Sequence, residues 1–468
     1  MSPAGRIAQF LGLYLALSLL PLAFAAWQPL PHRPWLDELS SGLAMAGFAV
    51  LLLEFALSCR SRRLSASFGF GLTMRFHQWM ALAALAFLLL HPFLYTNYGL
   101  RPGAGVTLTP AATVSGLAAW MLLLMMVALA FFRTQLRWSY EAWRLGHGLG
   151  ALAIAASGTH HVLQTGRYAG DALLRGFWLA ACAAAFAALA AVYLVKPLLQ
   201  ARRRWRVAAV AQEAERIWRV VLEPDTAQDF RFAAGQFVWL KLHRALGRIT
   251  EHPLSIASAP AQLPRLQFLV EECGDFTSGA GSVPPGTAAY VDGPYGNLTL
   301  AGRRGAGLML IAGGIGIAPV LSLARELAAV HDPRPLRIVY AERSAARLAA
   351  RAELETLARA PGRELHLILA EPPAGWNGLS GRLDAANLAA CMPAENARDW
   401  LYFVCGPSAM IDAVEMELAQ LGVPLERIVT ERFDRGSGVA TPRERLTRAV
   451  VCAVVAAQIA GVVAFIAR

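Results

Sequence analysis

Two histidines, His77 and His91, stand 14 positions apart within the apolar stretch FHQWMALAALAFLLLHPFLY. On an α-helix that spacing is about 21 Å of rise and falls about 40° short of four full turns, so both imidazoles project from one face at two depths. A second apolar stretch repeats the pattern, with His147 followed by His160 and His161. Imidazoles facing each other from two parallel helices make two stacked bis-histidine sites, and the chemistry open to such sites is axial ligation of a haem. A single helical histidine is more often a satisfied core residue. Ionisable side chains inside a bilayer are costly and functional, however, and matched pairs on two helices argue for ligation. A 14-residue step keeps His161 on the face of His147, whereas a step of 13 leaves His160 about 140° short of alignment. A sideways offset of the haems or a helix kink would favour His160, so both are candidates.

Further along, His252-Pro253-Leu254-Ser255 ends one β-rich stretch and Gly274-Asp275-Phe276-Thr277 opens the next connection. Glycine permits close backbone approach, and a hydroxyl beside free N–H groups suits a pyrophosphate. Taken alone, each motif matches an ordinary turn. Gly313-Gly314-Ile315-Gly316-Ile317-Ala318-Pro319 lies between the apolar run GLMLIA and the helical pattern VLSLARELAAV. Such a strand-to-helix turn aims backbone N–H groups at an anion. It is not the GxGxxG fingerprint, because Pro319 stands where the last glycine would be.

The elements that position these residues begin with six apolar runs, near residues 7–26, 39–58, 76–96, 112–132, 145–165 and 173–195, each long enough to span a bilayer. The chain has 468 residues, 56% of them hydrophobic, which is enough for about three domains. Its net charge of +11 does not indicate nucleic acid, because the basic residues collect at the ends of apolar runs. Arg60, Arg62, Arg63, Arg75, Arg133, Arg137 and Arg144 follow the second and fourth runs, and Lys196, Arg202, Arg203, Arg204 and Arg206 follow the sixth. The other loops hold Arg33, Arg101, Arg167 and Arg175. The positive-inside rule then places the N-terminus and everything after residue 200 in the cytoplasm, with His77 and His147 as the inner pair. Ala23-Phe24-Ala25 has the small residues of a signal-peptide cleavage site, but Arg6 is the lone charge before it, and a retained helix is the preferred reading. The six cysteines show no CxxC spacing, against a disulfide framework or zinc site.

From about residue 203 the pattern changes to short strands, RIWRVVLEP, GQFVWLKLH, PRLQFLVEEC and TAAYVDGPYG, which read as an antiparallel barrel. Beyond Gly302, the strands GLMLIA, RIVYAE, ELHLILAE and WLYFVCG alternate with helices at 320–330, 344–359, 384–391 and 407–421, the signature of a parallel sheet with helices on both faces. After the polar linker DRGSGVATPRERLT, the residues between Arg448 and Arg468 are almost wholly apolar and long enough for a seventh span. Ala453, Ala457 and Gly461 recur every four positions as a possible packing face, although a simple anchor accounts for them as well.

In this combination the chain resembles the ferric reductase and NADPH oxidase superfamily, over roughly residues 40–433. The resemblance implies a multi-domain membrane protein: an all-α transmembrane haem bundle (1–200), an antiparallel β-barrel FAD domain (203–300) and an α/β NAD(P)-binding domain (303–435), here extended by a C-terminal transmembrane helix (447–468). It further implies two b-type haems on His77, His91, His147 and one of His160 or His161. His252, Pro253, Leu254 and Ser255 would lie beside FAD, with Ser255 near the reactive ring, and Gly274 and Thr277 at the flavin pyrophosphate. Gly313, Gly314, Gly316 and Pro319 match the nicotinamide-nucleotide loop, and Cys405-Gly406-Pro407 the segment under the nicotinamide. Arg343 and Ser344 sit where the family reads an adenosine 2'-phosphate, which points to NADPH, while Glu342 beside them points to NADH. Glu431-Arg432-Phe433 resembles the C-terminal segment whose aromatic ring stacks on the flavin.

The implied function is a transmembrane oxidoreductase, of NAD(P)H oxidase or ferric-chelate reductase type, in the bacterial inner membrane. Electrons would pass from cytoplasmic NAD(P)H to O2 or a ferric chelate on the outer side. Tyr95 stands where the oxidases carry a histidine one turn beyond the outer ligand, which makes superoxide formation less secure than electron delivery. Delivery to a periplasmic protein partner and a non-enzymatic haem sensor are the alternatives.

Overall fold

The structure is a computed structural model describing residues 3–59, 62, 69–94, 109–133, 135–165, 167–201, 203–242, 251–274, 276–432 and 441–468. The chain divides into two compact units. One comprises Met1–Ser61, Leu72–Val195 and Thr447–Arg468, and the other Arg62–Gly71 and Lys196–Leu446.

The first unit is helical: α1 (Pro3–Ala26), α2 (Trp35–Ser58), α3 (Phe70–Leu94), α4 (Pro110–Phe131), α5 (Tyr140–Gln164) and α6 (Ala172–Ala190). The last helix of the chain, Pro442–Ile466, returns to it. Side-chain caps from Thr109, Ser139 and Asp171 hold the first turns of α4, α5 and α6 by accepting from backbone N–H groups that lack helical partners. All of these long helices except α5 are apolar enough to cross a membrane. The average of α5 is lowered by Glu141, Arg144, His147, His160 and His161, which are polar residues with a task to explain.

Helix α2 is the centre of the bundle, its span being 72% buried. It packs on α1, α5 and α6. Helix α1 packs into the bundle: Tyr14 donates to Glu54 of α2, and Ala25 is fully buried.

The second unit opens with the short helix α7 (Lys196–Ala201). Then come β1 (Trp205–Ala214), β2 (Ile217–Pro224), β3 (Phe237–Leu242), β4 (His252–Ser255), β5 (Leu266–Glu271) and β6 (Ala288–Tyr295), in the order β4-β3-β6-β1-β2-β5. All of the pairings in this sheet are antiparallel. The expected barrel is not closed in the described residues. The end strands meet only through the isolated bridge Ile256–Phe268, because β4 has four residues and leaves its neighbour's ladder early.

The second sheet contains β7 (Leu308–Gly313), β8 (Leu336–Glu342), β9 (Arg363–Leu369), β10 (Leu379–Ser380), β11 (Leu401–Cys405) and β12 (Ile428–Glu431). Its order is β10-β9-β8-β7-β11-β12, parallel throughout. Its connecting helices are α8 (Ile317–Ala329), α9 (Arg351–Ala358), α10 (Ala385–Cys391) and α11 (Ser408–Gln420). The helix expected from residue 344 starts only at Arg351, since Ala345–Arg347 forms a 3-10 turn and Ala350 takes a left-handed φ of 56°. The fully buried runs of β7 and β11 make the near-continuous apolar strands that a sheet covered on both faces demands.

The final helix, α12 (Pro442–Ile466), docks on α1 and α2. Gln458 Nε2 donates to Ser18 Oγ at 3.2 Å, both side chains being fully buried. Its packing face is Val451, Val454, Gln458, Val462 and Phe465. Of the small-residue face read from the sequence, Gly461 lies against Leu19, whereas Ala453 is exposed. A Cβ on Gly42 of α2 would stand 2.9 Å from Val462, so the two helices approach through that glycine. At the chain end, Arg468, Arg33 and Arg167 surround the buried Glu38, which also accepts from the Tyr168 hydroxyl.

Candidate functional site

In the helical unit the sequence-identified histidines converge. The rings of His77 and His147 are 6.5 Å apart between centroids at 76°, and His147 stacks on Trp143 at 5.2 Å and 28°. Metal–imidazole bonds run about 2 Å, and this centroid separation is of the size that two imidazoles bound to one metal ion would have. His91 lies on α3 and His161 on α5. His160 is exposed.

Three of these rings are oriented through Nδ1. His77 Nδ1 lies 2.7 Å from Glu54 Oε2, and Glu54 Oε1 accepts from Tyr14 at 2.6 Å. His91 Nδ1 lies 2.9 Å from Ser40 Oγ and 3.1 Å from Ser40 O. The Ser40 hydroxyl donates to His91 O at 2.8 Å, so the proton between the two side chains belongs to Nδ1. His161 Nδ1 donates to Ala112 O at 2.8 Å. The ring fits there because Gly116 has no side chain: a Cβ would stand 2.7 Å from His161 Cε1. With Nδ1 protonated and engaged, the lone pair of each ring is on Nε2. Among the described residues, no three His, Cys, Asp or Glu side chains converge on a metal-ion site.

Sequence reasoning missed Tyr14, Ser40 and Glu54. A usable signal existed for Glu54, a lone carboxylate in the apolar run of α2. Ser40 and Tyr14 carry none, because hydroxyls are common in such helices.

In the second unit, β4 carries His252, Pro253, Leu254 and Ser255, with Ser255 paired to Phe237 of β3. The His252 ring stacks on Phe276 at 3.9 Å and 20°, which brings the two flavin-type motifs together. Gly274 has φ +91, a conformation that excludes ordinary side chains. Thr277 Oγ1 accepts from Cys273 N at 2.8 Å, so its own proton remains to donate. Asp275 and Phe433, like Tyr95, lie outside the described residues.

The glycine-rich turn lies at the switch point of the parallel sheet. β7 has β8 on one side and β11 on the other, so the crevice opens at the carboxyl ends of β7 and β11. Those ends are Gly313 and Cys405. Gly316 presses on the Cys405 carbonyl, with Gly406 N 2.8 Å from where a Cβ would be, and a Cβ on Gly406 would meet Gly313 O at 3.0 Å. The two loops thus touch backbone to backbone, with Pro407 and Met410 beside Gly313. Pro319 sits in the first turn of α8, where its missing N–H costs nothing.

At the end of β8, Glu342 is buried and its Oε1 has no hydrogen-bond partner among the described residues. That atom is 3.7 Å from the Cβ position of Gly314. Burial first, and Glu271 in addition, raises the Glu342 pKa above the usual carboxylate range, against the lowering effect of Arg343 N–H and Arg347. Arg343 is exposed and pairs with Glu371 at 2.9 Å, and Ser344 opens the following 3-10 turn.

Residues 43–158 match the model of the ferric reductase like transmembrane component, and residues 310–416 that of the oxidoreductase NAD-binding domain. Ferredoxin–NADP reductase B of Sorangium cellulosum is 30% identical over 49% of this chain and 96% of its own length. The reductase component of propane 2-monooxygenase from Gordonia is also 30% identical, over 46% of this chain. The chain spans 61% of that relative and 57% of NADH-cytochrome b5 reductase 1 of Laccaria bicolor. Among solved structures, the cytochrome P450 reductase GcoB of Amycolatopsis aligns over 50% of this chain and 70% of its own, at 26% identity and a TM-score of 0.45. The chain thus joins a ferric-reductase-like transmembrane domain to a ferredoxin-reductase-type NAD-binding unit, and over the latter it belongs with the ferredoxin–NADP reductases.

Proposed function

We propose that the protein carries electrons from cytoplasmic NAD(P)H, by way of FAD and two bis-histidine b-type haems, to an acceptor on the outer side of the bacterial inner membrane. The observation that carries this reading is the set of histidines whose Nδ1 atoms are engaged and whose Nε2 atoms are left for a ligand. Two imidazoles supply two ligands, and a porphyrin would supply the other four. His77 with His147 would hold one haem and His91 with His161 the other. Among the described residues, exposed His160 makes no hydrogen bond of this kind.

The proposed domains are residues 1–200, 203–300, 303–435 and 447–468. His252, Pro253, Leu254 and Ser255 would line the isoalloxazine of FAD, and Gly274 and Thr277 would bind its pyrophosphate. Gly313, Gly314 and Gly316 would admit the nicotinamide nucleotide, with Cys405, Gly406 and Pro407 under the nicotinamide and Phe433 stacked on the flavin. FAD when bound supplies the conversion of a two-electron hydride into single electrons that haem iron accepts. The orphan Glu342 Oε1 beside Gly314 suits a ribose hydroxyl, which favours NADH, whereas Arg343 would suit a 2'-phosphate. The two histidine pairs would hold the haems, which when bound would supply one-electron transfer to O2 or a ferric chelate.

The test is anaerobic reduction of the purified protein by NADH and by NADPH, followed by admission of O2 or ferric citrate while haem spectra are recorded. Reduction of both haems and reoxidation by one acceptor is the expected result. Absence of a reducible cytochrome spectrum would overturn the proposal.

A further inference from the structure

The hydrogen bonds that orient the histidines differ in kind between the two pairs. His91 and His161 meet neutral partners, the Ser40 hydroxyl and carbonyl and the Ala112 carbonyl. His77 meets a carboxylate, Glu54, at 2.7 Å. Glu54 is 5% exposed, in the most buried helix of the bundle, and its other oxygen accepts from Tyr14, itself 4% exposed. A carboxylate so placed costs free energy that an apolar side chain at the same position would not, and two hydrogen bonds offset only part of that cost. Packing alone therefore does not account for a glutamate at this position.

A carboxylate on the far nitrogen of a ligating imidazole makes that imidazole a stronger electron donor, and it adds a negative charge near the metal. Both effects stabilise the oxidised, more positive iron. A neutral hydroxyl or peptide carbonyl does the same more weakly. We infer that Glu54, held by Tyr14, is a positioning residue that makes the His77/His147 site harder to reduce than the His91/His161 site. The chain's own polar side chains would then grade the two sites in the outward direction. The inference rests on the bis-histidine reading above, and it concerns only the order of two midpoint potentials. Tyr14 moderates the effect: its hydroxyl draws charge from Glu54, so Tyr14 sets how much of the carboxylate's donation reaches His77.

The experiment is an anaerobic spectroelectrochemical titration of the full-length protein in lipid nanodiscs, with low-spin haem signals followed by electron paramagnetic resonance. Wild type is expected to show two one-electron waves. Glu54→Gln should move the lower wave to more positive potential and leave the upper one in place. Tyr14→Phe, which keeps both Glu54 and His77, should move the lower wave to more negative potential. Ser40→Ala should move only the upper wave, and Glu54→Asp should restore the wild-type order. A merely structural role would change haem content or stability without moving one wave selectively. If Glu54→Gln fails to assemble, Tyr14→Phe decides. Two retained haems whose waves are unmoved by these variants, or a shift confined to the upper wave, would overturn the inference while leaving the bis-histidine reading intact. A wild-type protein without haem would remove that reading itself.

Discussion

At the scale of single residues, the contacts made by a side chain separate candidates that spacing leaves equal. His160 and His161 are neighbours, yet only His161 has its Nδ1 fixed, on Ala112 O, beside a glycine that makes room for the ring. His161→Ala should lower the haem content from two per protein to one in a pyridine haemochrome assay, and His160→Ala should leave it at two. Equal losses from both variants would count against the assignment. Glu342 makes the same kind of distinction for the nucleotide. If its free oxygen receives a ribose hydroxyl, Glu342→Ala should reduce kcat/KM for NADH about tenfold, equivalent to about 1.4 kcal/mol, and affect NADPH less. A uniform loss with both nucleotides would instead indicate damage to the end of β8.

At the scale of elements, what matters is how helices and strands deliver those residues. Helix α12 lies against α2 through Gly42, whose missing Cβ admits Val462 and Phe465. Gly42→Leu should destabilise the bundle by about 1–3 kcal/mol, the usual cost of overpacking, and lower haem retention on heating. Unchanged thermal retention would mean that α12 contributes little. The end of β12 brings Glu431 into full burial, where desolvation pushes its pKa up to about 7 against the hydrogen bonds from the backbone of Asn297 and Leu298. An acid whose folded pKa is raised stabilises the fold while protonated. Its contribution is complete below its unfolded value and is lost as pH rises through about 7. The free energy of unfolding should therefore fall by about 3 kcal/mol between about pH 4.5 and 7, with the melting temperature falling alongside, and Glu431→Gln should flatten the decline. A decline of the same size in the variant would assign it to another group.

At the scale of the whole molecule, the distribution of basic residues predicts sidedness. NADH added to sealed inside-out membrane vesicles should reduce the haems, and NADH added to right-side-out vesicles should do so only after permeabilisation. Reduction in both preparations would contradict the positive-inside assignment.

The sequence by itself determined the order of the elements, since apolar runs, short alternating strands and glycine-rich turns are local patterns that backbone geometry constrains directly. It also set His77 with His91, and His147 with His161, on one face of each helix, because helical periodicity alone aligns residues 14 apart. It did not decide which residues anchor those histidines. The contacts from Glu54 to His77 and Tyr14, and from Ser40 to His91, join side chains 23 to 51 positions apart, and no periodicity connects them. Nor could it decide that the last helix folds back on the first two, or that the first sheet stays open where a barrel was expected. Those outcomes depend on the shapes that meet when distant segments pack, as Gly42 meets Val462 and as the four-residue β4 leaves its ladder.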